Sequence, residues 1–129
     1  MKLFFGIIAL FLAAQVDAAQ IELNVNHASA VQSQSHYSHN FGTVWVNSRV
    51  VANYTIRNTG TTPLTFNRAY IYGADFSANH SCDRVVMPNE ICNFSIYFWP
   101  MFEGMSSGRF VLSFIEDEIV IDLWGQARR

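Results

Sequence analysis

The sequence predicts an all-β chain, an immunoglobulin-like antiparallel β-sandwich of seven to eight strands. Three observations predict it. Phe, Tyr, Trp, Val and Ile are abundant, with aromatic residues making up 15% of the chain, and such side chains fit a pleated, half-buried surface. Apolar residues recur with a period of two in short runs, and turn residues interrupt those runs about every 8–12 positions. Past the first eighteen residues no run has the 3.6-residue period of an amphipathic helix.

Residues 1–18 are set apart from the fold. Met1-Lys2 is a short basic start, Leu3 to Ala14 an apolar run, and Val16-Asp17-Ala18 a small-residue cleavage site. That pattern predicts a secretory signal peptide, and the run is too short for the ~20 apolar residues of a membrane span. Residues 19–129 are then one exported domain, secreted or periplasmic. The leader takes Lys2 and Asp17 with it, so the formal net charge stays at −2 and every lysine and arginine left is an arginine. Without a basic stripe, nucleic acid is not an expected partner. Cys82 and Cys92 are an even pair in an exported chain and match no zinc spacing, so they are assigned to one disulfide.

The strands follow in order. Ile21 to Val25 alternates, and the polar stretch Asn26 to Asn40 reads as a loop. Phe41 to Val46 is a short strand, and Asn47-Ser48 a turn. In Arg49 to Asn58, Ala52, Tyr54 and Ile56 share one face against Asn53, Thr55 and Arg57. Asn58 to Pro63 is a turn, because Gly60 permits positive φ and Pro63 cannot continue a ladder. Leu64 to Tyr72 is a strand ended by Gly73-Ala74-Asp75-Phe76, and Arg84 to Met87 is an edge strand stopped by Pro88. Cys92, Phe94, Ile96 and Phe98 alternate up to Pro100, Gly104 to Gly108 reads as a turn, and Glu116-Asp117 tips a hairpin between Phe110–Ile115 and Ile119–Trp124. Gly125 to Arg129 is read as the end of the chain's structure.

Several of these signals fall in a fixed order. They are Phe41-Gly42-Thr43-Val44, then Asn58-Thr59-Gly60 with Pro63-Leu64, then Gly73-Ala74-Asp75-Phe76. Cys82, Met87-Pro88-Asn89-Glu90-Ile91-Cys92 and Phe98-Trp99-Pro100 follow. Over residues 40–125 this order resembles the ASH-type domain, the abnormal-spindle and Hydin class, in its bacterial secreted form. That class is related to the major sperm protein and the periplasmic pilus chaperones. The resemblance implies an immunoglobulin-like fold and a binding or adaptor role, and it carries no catalytic residue over. Asn89 stands where the pattern has Gly, and Asn tolerates the positive φ such a turn needs. The 26–40 stretch is not explained by the pattern.

Candidate sites are few. No nucleophile elbow, zinc-protease or phosphate-loop motif is present, so no enzymatic activity and no cofactor are expected. Glu116-Asp117-Glu118 reads as a solvated hairpin tip, because it lacks the alternating oxygen ligands and the Gly of a calcium loop. Asn53, Asn79 and Asn93 begin glycosylation sequons, which matter only in a eukaryotic secretory pathway. His36 and His39 would face the same way only on a helical turn, which leaves a small metal-binding protein as one alternative.

The leading reading comes from strand register. With Phe110, Leu112, Phe114, Ile119, Ile121 and Leu123 inward, Val111, Ile115, Val120 and Trp124 point outward. An immunoglobulin order places Leu64–Tyr72 in the same sheet. The register of the family it resembles puts Leu64, Phe66, Ala69 and Ile71 inward, with a shift near Asn67-Arg68 that implies a bulge and places Tyr70 and Tyr72 on that outer face. The expected function is a non-catalytic binding or structural module acting on a protein partner through Tyr70, Tyr72, Val111, Ile115, Val120 and Trp124, or through an edge strand. It would be a monomer or a weak homodimer. A pilus-chaperone-like, strand-donating assembly factor is the other alternative.

Overall fold

Alternation along the strands sorts the side chains onto two inner faces that pack on each other. The computed structural model describes residues 21–25, 31–33 and 36–129, and among these it contains strands and no helix. The strands are β1 (Ile21–Val25), β2 (Val31–Ser33), β3 (His36–Trp45), β4 (Val50–Asn58), β5 (Leu64–Tyr72), β6 (Phe76–His80), β7 (Val85–Val86), β8 (Ile91–Phe98), β9 (Gly104–Phe114) and β10 (Glu118–Arg128). They form a four-stranded sheet, β1-β4-β8-β6, and a six-stranded sheet, β2-β3-β10-β9-β5-β7. All pairs are antiparallel except β3 on β10, which is parallel. The predicted leader at residues 1–18 and His27 lie outside the described residues.

The core is the one the alternation predicts. Ala52, Tyr54 and Ile56 of β4 and Cys92, Phe94, Ile96 and Phe98 of β8 face Phe110, Leu112 and Phe114 of β9 and Ile119, Ile121 and Leu123 of β10, all buried. Aromatic rings tie the two sheets together: Tyr54 stacks on Phe94 at 4.7 Å, and Phe94 on Phe110 at 4.9 Å. The bulge expected near Asn67-Arg68 is present as a register shift between Phe66 and Arg68. Asn89 has the expected positive φ, 72°.

Phe76–His80, where the sequence reading has a break and no strand, forms β6, and three boundaries also differ. The 26–40 stretch is not all loop: β2 lies within it and β3 begins at His36. Tyr37 and His39 are buried and continue the inward row to Phe41, and a histidine in that row masks the alternation in the sequence. Gly104–Gly108 is strand rather than turn, and β10 continues through Gly125 to Arg128. These two glycine- and polar-rich stretches pair with each other, from Leu123 opposite Gly108 to Ala127 opposite Gly104. Here ladder hydrogen bonds override composition.

The ordered motifs have packing roles. Asn58 is fully buried: its Nδ2 donates to the carbonyls of Thr62 and Val86, and its Oδ1 accepts from Gly60 N–H. On β3, Phe41 and Gly42 together oppose Gly125 of β10. This bulge places Gly42 at φ 77°, and Asn40 Oδ1 accepts its N–H. A Cβ on Gly125 would lie 2.4 Å from the ring of Phe98, which is fully buried and has nowhere to move. Cys82 and Cys92 form the assigned disulfide, ten residues apart, between the end of β6 and β8.

Gly125→Ala is therefore expected to lower unfolding stability by about 1–3 kcal/mol through overpacking, measured by urea denaturation. Reducing the disulfide is expected to cost about 2–3 kcal/mol, seen as a lower urea midpoint with reductant than without. An unchanged midpoint in either case contradicts the packing described.

Candidate functional site

The two outer faces of the sandwich differ in chemistry. The centre of the four-stranded sheet's outer face is lined with short polar side chains, with Tyr97 under Arg49 toward one end and the Arg57–Glu22 pair toward the other. Asn53 pairs across to Ser95, which pairs to Asn79, and Thr55 pairs to Asn93. Ser95 Oγ donates to Asn53 Oδ1 at 2.6 Å, and Thr55 Oγ1 to Asn93 Oδ1 at 3.0 Å. All three sequon asparagines sit on this face.

The six-stranded sheet presents aromatic and charged side chains instead. Register sets them in rows across the strands. One row runs His36, Val120, Val111, Tyr70, and the next Ser38, Asp122, Arg109, Tyr72. A third row runs Asn40, Trp124, Ser107. Asp122 is the hub: its Oδ1 accepts from Arg109 Nε at 2.8 Å, and its Oδ2 lies 2.7 Å from His36 Nε2. Tyr70 and Tyr72 meet edge-on at 5.3 Å, and the Arg68 guanidinium lies 5.3 Å from the Tyr70 ring.

The predicted contact residues are thus on one sheet but are not equally available. Tyr72 and Trp124 are exposed, while Tyr70 and Val120 are half-buried. Val111 departs from the expectation. It occupies the outer row, yet only 4% of it is exposed, because it lies mid-sheet between Val120 and Tyr70 and their side chains close over it. Ile115 is exposed at the β9–β10 tip, at the edge of the patch rather than within it.

The histidine pair is separated. His36 and His39 lie on one extended strand, an odd number of residues apart, so they point to opposite faces. His36 is outside on Asp122, whereas His39 is 2% exposed, with Nδ1 2.8 Å from Tyr54 Oη. They cannot share a metal ion, and among the described residues no three metal-ligating side chains cluster. The acidic tip is also more than a solvated turn. Glu116 accepts from Thr65 N–H at 2.7 Å and from Thr65 Oγ1 at 3.0 Å, pinning the hairpin to β5. The Thr65 N–H bond holds the Glu116 carboxyl below its usual range.

One feature of the surface has no counterpart in the sequence reading. Trp45, Trp99, Met101, Phe102 and Met105 are all largely exposed at one end of the sandwich. They come from the end of β3, the β8–β9 connection and the start of β9. Trp99-Pro-Met-Phe-Glu-Gly-Met105 is a local apolar run, and only the pairing of β3 and β9 with β10 brings Trp45 to the same end.

The Asp122 hub sets a pH dependence. Burial alone would raise its carboxyl, but the hydrogen bonds and charges of Arg109 and His36 outweigh burial and lower it below its ordinary 3.8. A carboxyl lowered in the folded state contributes stability above its unfolded value, and that contribution is lost as pH falls through the folded value. Below about pH 3.8 the wild type is expected to lose stability that Asp122→Asn does not lose, measured by denaturation at stepped pH. Parallel acid profiles would refute the hub.

Comparison with known proteins agrees with this architecture. The family model described as HYDIN/CFA65/VesB-like, Ig-like domain matches residues 30–123. No curated protein sequence matches the chain. Among solved structures, the chain is similar to the secreted serine protease VesC from Vibrio cholerae, with a TM-score of 0.58 and 14% identity over 93% of this chain. It spans only 26% of VesC, about a quarter. It is also similar to the ASH/PapD-like domain 7 of human CEP192, with a TM-score of 0.57 and 16% identity over 88% of each chain. The Vibrio cholerae protease VesB matches at a TM-score of 0.56 and 14% identity, over 98% of this chain and 35% of its own. At such identities the likeness is one of fold. Ig-like and ASH-like domains of this kind point to a non-catalytic binding or structural module. The match over most of its length makes the chain a member of the HYDIN/CFA65/VesB-like family of Ig-like domains.

Proposed function

We propose that this chain is an exported, non-catalytic module that binds a protein partner on the outer face of its six-stranded sheet. The observation that carries the reading is the surface formed by Tyr70, Tyr72 and Trp124 around the Arg109–Asp122–His36 hub. Exposed aromatic rings beside a fixed, partly neutralised charge suit a protein contact, because they bury area with little side-chain entropy and leave the charge its partners. The opposite face has Asn, Ser and Thr at its centre, and its aromatic, Tyr97, is half-buried with Arg49 over its ring. Export is supported by the basic start and apolar run of residues 1–18, by the disulfide, and by the secreted protease among the structural relatives.

A second reading is favoured by one observation. β7 pairs only with Leu64 and Thr65 of β5, so among the described residues no strand covers the β5 edge from Ala69 to Tyr72. An extended peptide could add there, as in a strand-exchanging assembly factor.

The two readings separate experimentally. Tyr72→Ser with Trp124→Ser is expected to weaken partner capture about tenfold or more, whereas Asn53→Ser on the other face leaves it unchanged. Quantitative affinity capture with the three proteins measures this. Capture that survives the double change but is lost when Ile71→Pro blocks the β5 edge would favour strand addition instead.

A further inference from the structure

We infer that the aromatic and methionine-bearing end of the sandwich docks on an anionic lipid surface. Trp45 and Met105 continue the outer face of the six-stranded sheet past Trp124, whereas Trp99, Met101 and Phe102 lie beyond it in the β8–β9 connection. Phe102 is 78% exposed, Met105 71% and Trp45 66%, with Trp99 and Met101 about half exposed beside them. Single exposed apolar residues are ordinary, but five gathered at one end are not. The segments that carry them are joined at this end of the sandwich. Asn47 N–H bonds to Pro100 O, Trp99 Nε1 donates to Asn47 O, and Trp45 pairs across to Arg128. Gln126 pairs across to Met105, and Arg129 N–H reaches Glu103.

Charge decides the occupant. Arg49 lies with its guanidinium 5.1 Å from the Tyr97 ring and 6.0 Å from the Trp99 ring, and Arg128 and Arg129 adjoin Trp45 and Glu103. Two carboxylates also lie at this end, Asp75 accepting from Ser106 Oγ and Glu103 from Arg129 N–H, so its balance is about one positive charge. The far end, a full length of β9 and β10 away, carries Glu116, Asp117 and Glu118. Three arginines, Arg49, Arg128 and Arg129, lie at the apolar end against Asp75 and Glu103, whereas Arg57, Arg68 and Arg84 lie at the other end against Glu22, Asp83, Glu90, Glu116, Asp117 and Glu118, so the carboxylates set the charge separation. Near a negatively charged bilayer that separation orients the molecule with Phe102 toward the lipid. Trp rings, with an apolar body and an N–H, and Arg stems, with an apolar chain and a charged head, suit the headgroup level. Phe102 and the methionines at the loop tip suit the acyl boundary just beneath it. The attachment is peripheral, and among the described residues no helix is long and apolar enough to cross a membrane.

The test is co-sedimentation of the protein, purified as the cell processes it, with phosphatidylcholine vesicles with and without phosphatidylglycerol. Binding is expected only to the phosphatidylglycerol vesicles and is expected to fall at high salt. Phe102→Asp is expected to lower the bound fraction about tenfold, and Arg49→Glu or Arg128→Glu about fivefold each. Ile115→Ser, which removes an equally exposed apolar residue from the acidic end, is expected to leave it unchanged. No sedimentation with either vesicle, or equal sedimentation with both, overturns the inference. So does an Ile115→Ser loss matching that of Phe102→Asp. Self-association without vesicles that Phe102→Asp abolishes would also overturn it, and would name a second copy as the occupant.

Discussion

The structure is organised around one buried ring, Phe98, and the space left for it. Phe98 is fully buried, stacks on Phe76 at 5.0 Å and lies 5.6 Å from Phe41. Gly125 faces it because no side chain fits between them. Gly73 and Gly108 likewise leave room for Phe76, since a Cβ on either would stand 2.8 Å from its ring. The residues that recur in order along the chain, Phe41-Gly42, Gly73 with Phe76, and Phe98 before Pro100, therefore meet at one place. They are not independent turn signals. They are the parts of one aromatic joint that fixes how close β3, β9 and β10 come to β6 and β8.

That joint also fixes what the surface presents. Seating Phe41 on Phe98 requires the bulge at Gly42, which sets the register of β3 on β10. With that register His36 faces Asp122 and His39 turns inward to Tyr54. A slip of one residue would exchange the two histidines and bury an imidazole beside nothing suited to it. The polar hub on the outer face is thus a consequence of how the core closes. Burial of the Tyr54 hydroxyl beside His39, which raises its pKa, belongs to the same arrangement.

Much of this was legible in the sequence, and what was not has physical causes. Alternation located β4, β8 and the hairpin of β9 and β10, because each has one apolar face against one polar face. The bulge in β5 at Asn67 and Arg68 followed from the family's register rather than from alternation. Alternation failed at His36–Asn40, where a buried histidine reads as polar. It failed again at Gly104–Gly108 and Gly125–Arg128, whose strand character comes from pairing with each other rather than from their own side chains. For the candidate site, parity assigned Tyr72 and Trp124 to the outer face correctly. It could not show that Val111 is closed over, because cover depends on which side chains lie across the neighbouring strands. The end cluster was missed for a related reason: Trp45 and Met105 are 60 positions apart in the chain and meet only through β10.

The proposed surfaces are geometrically compatible. β3 and β10 run toward the apolar end that carries Phe102, and β9 starts from it. If that end rests on lipid, these strands stand upright, with β9 alone rising about 35 Å at ~3.3 Å per residue. The outer face of the six-stranded sheet is then a wall perpendicular to the bilayer, with Trp124 low on it and Tyr70 higher. A partner approaching along the membrane meets that wall side-on, and the acidic tip at Glu116 points away from the anionic surface. Lipid contact would then reduce the approach to the outer face from three dimensions to two, raising the local concentration of a membrane-held partner without adding any contact to it. The aromatic anchors on the sheet are few, and the charge at its centre is already paired.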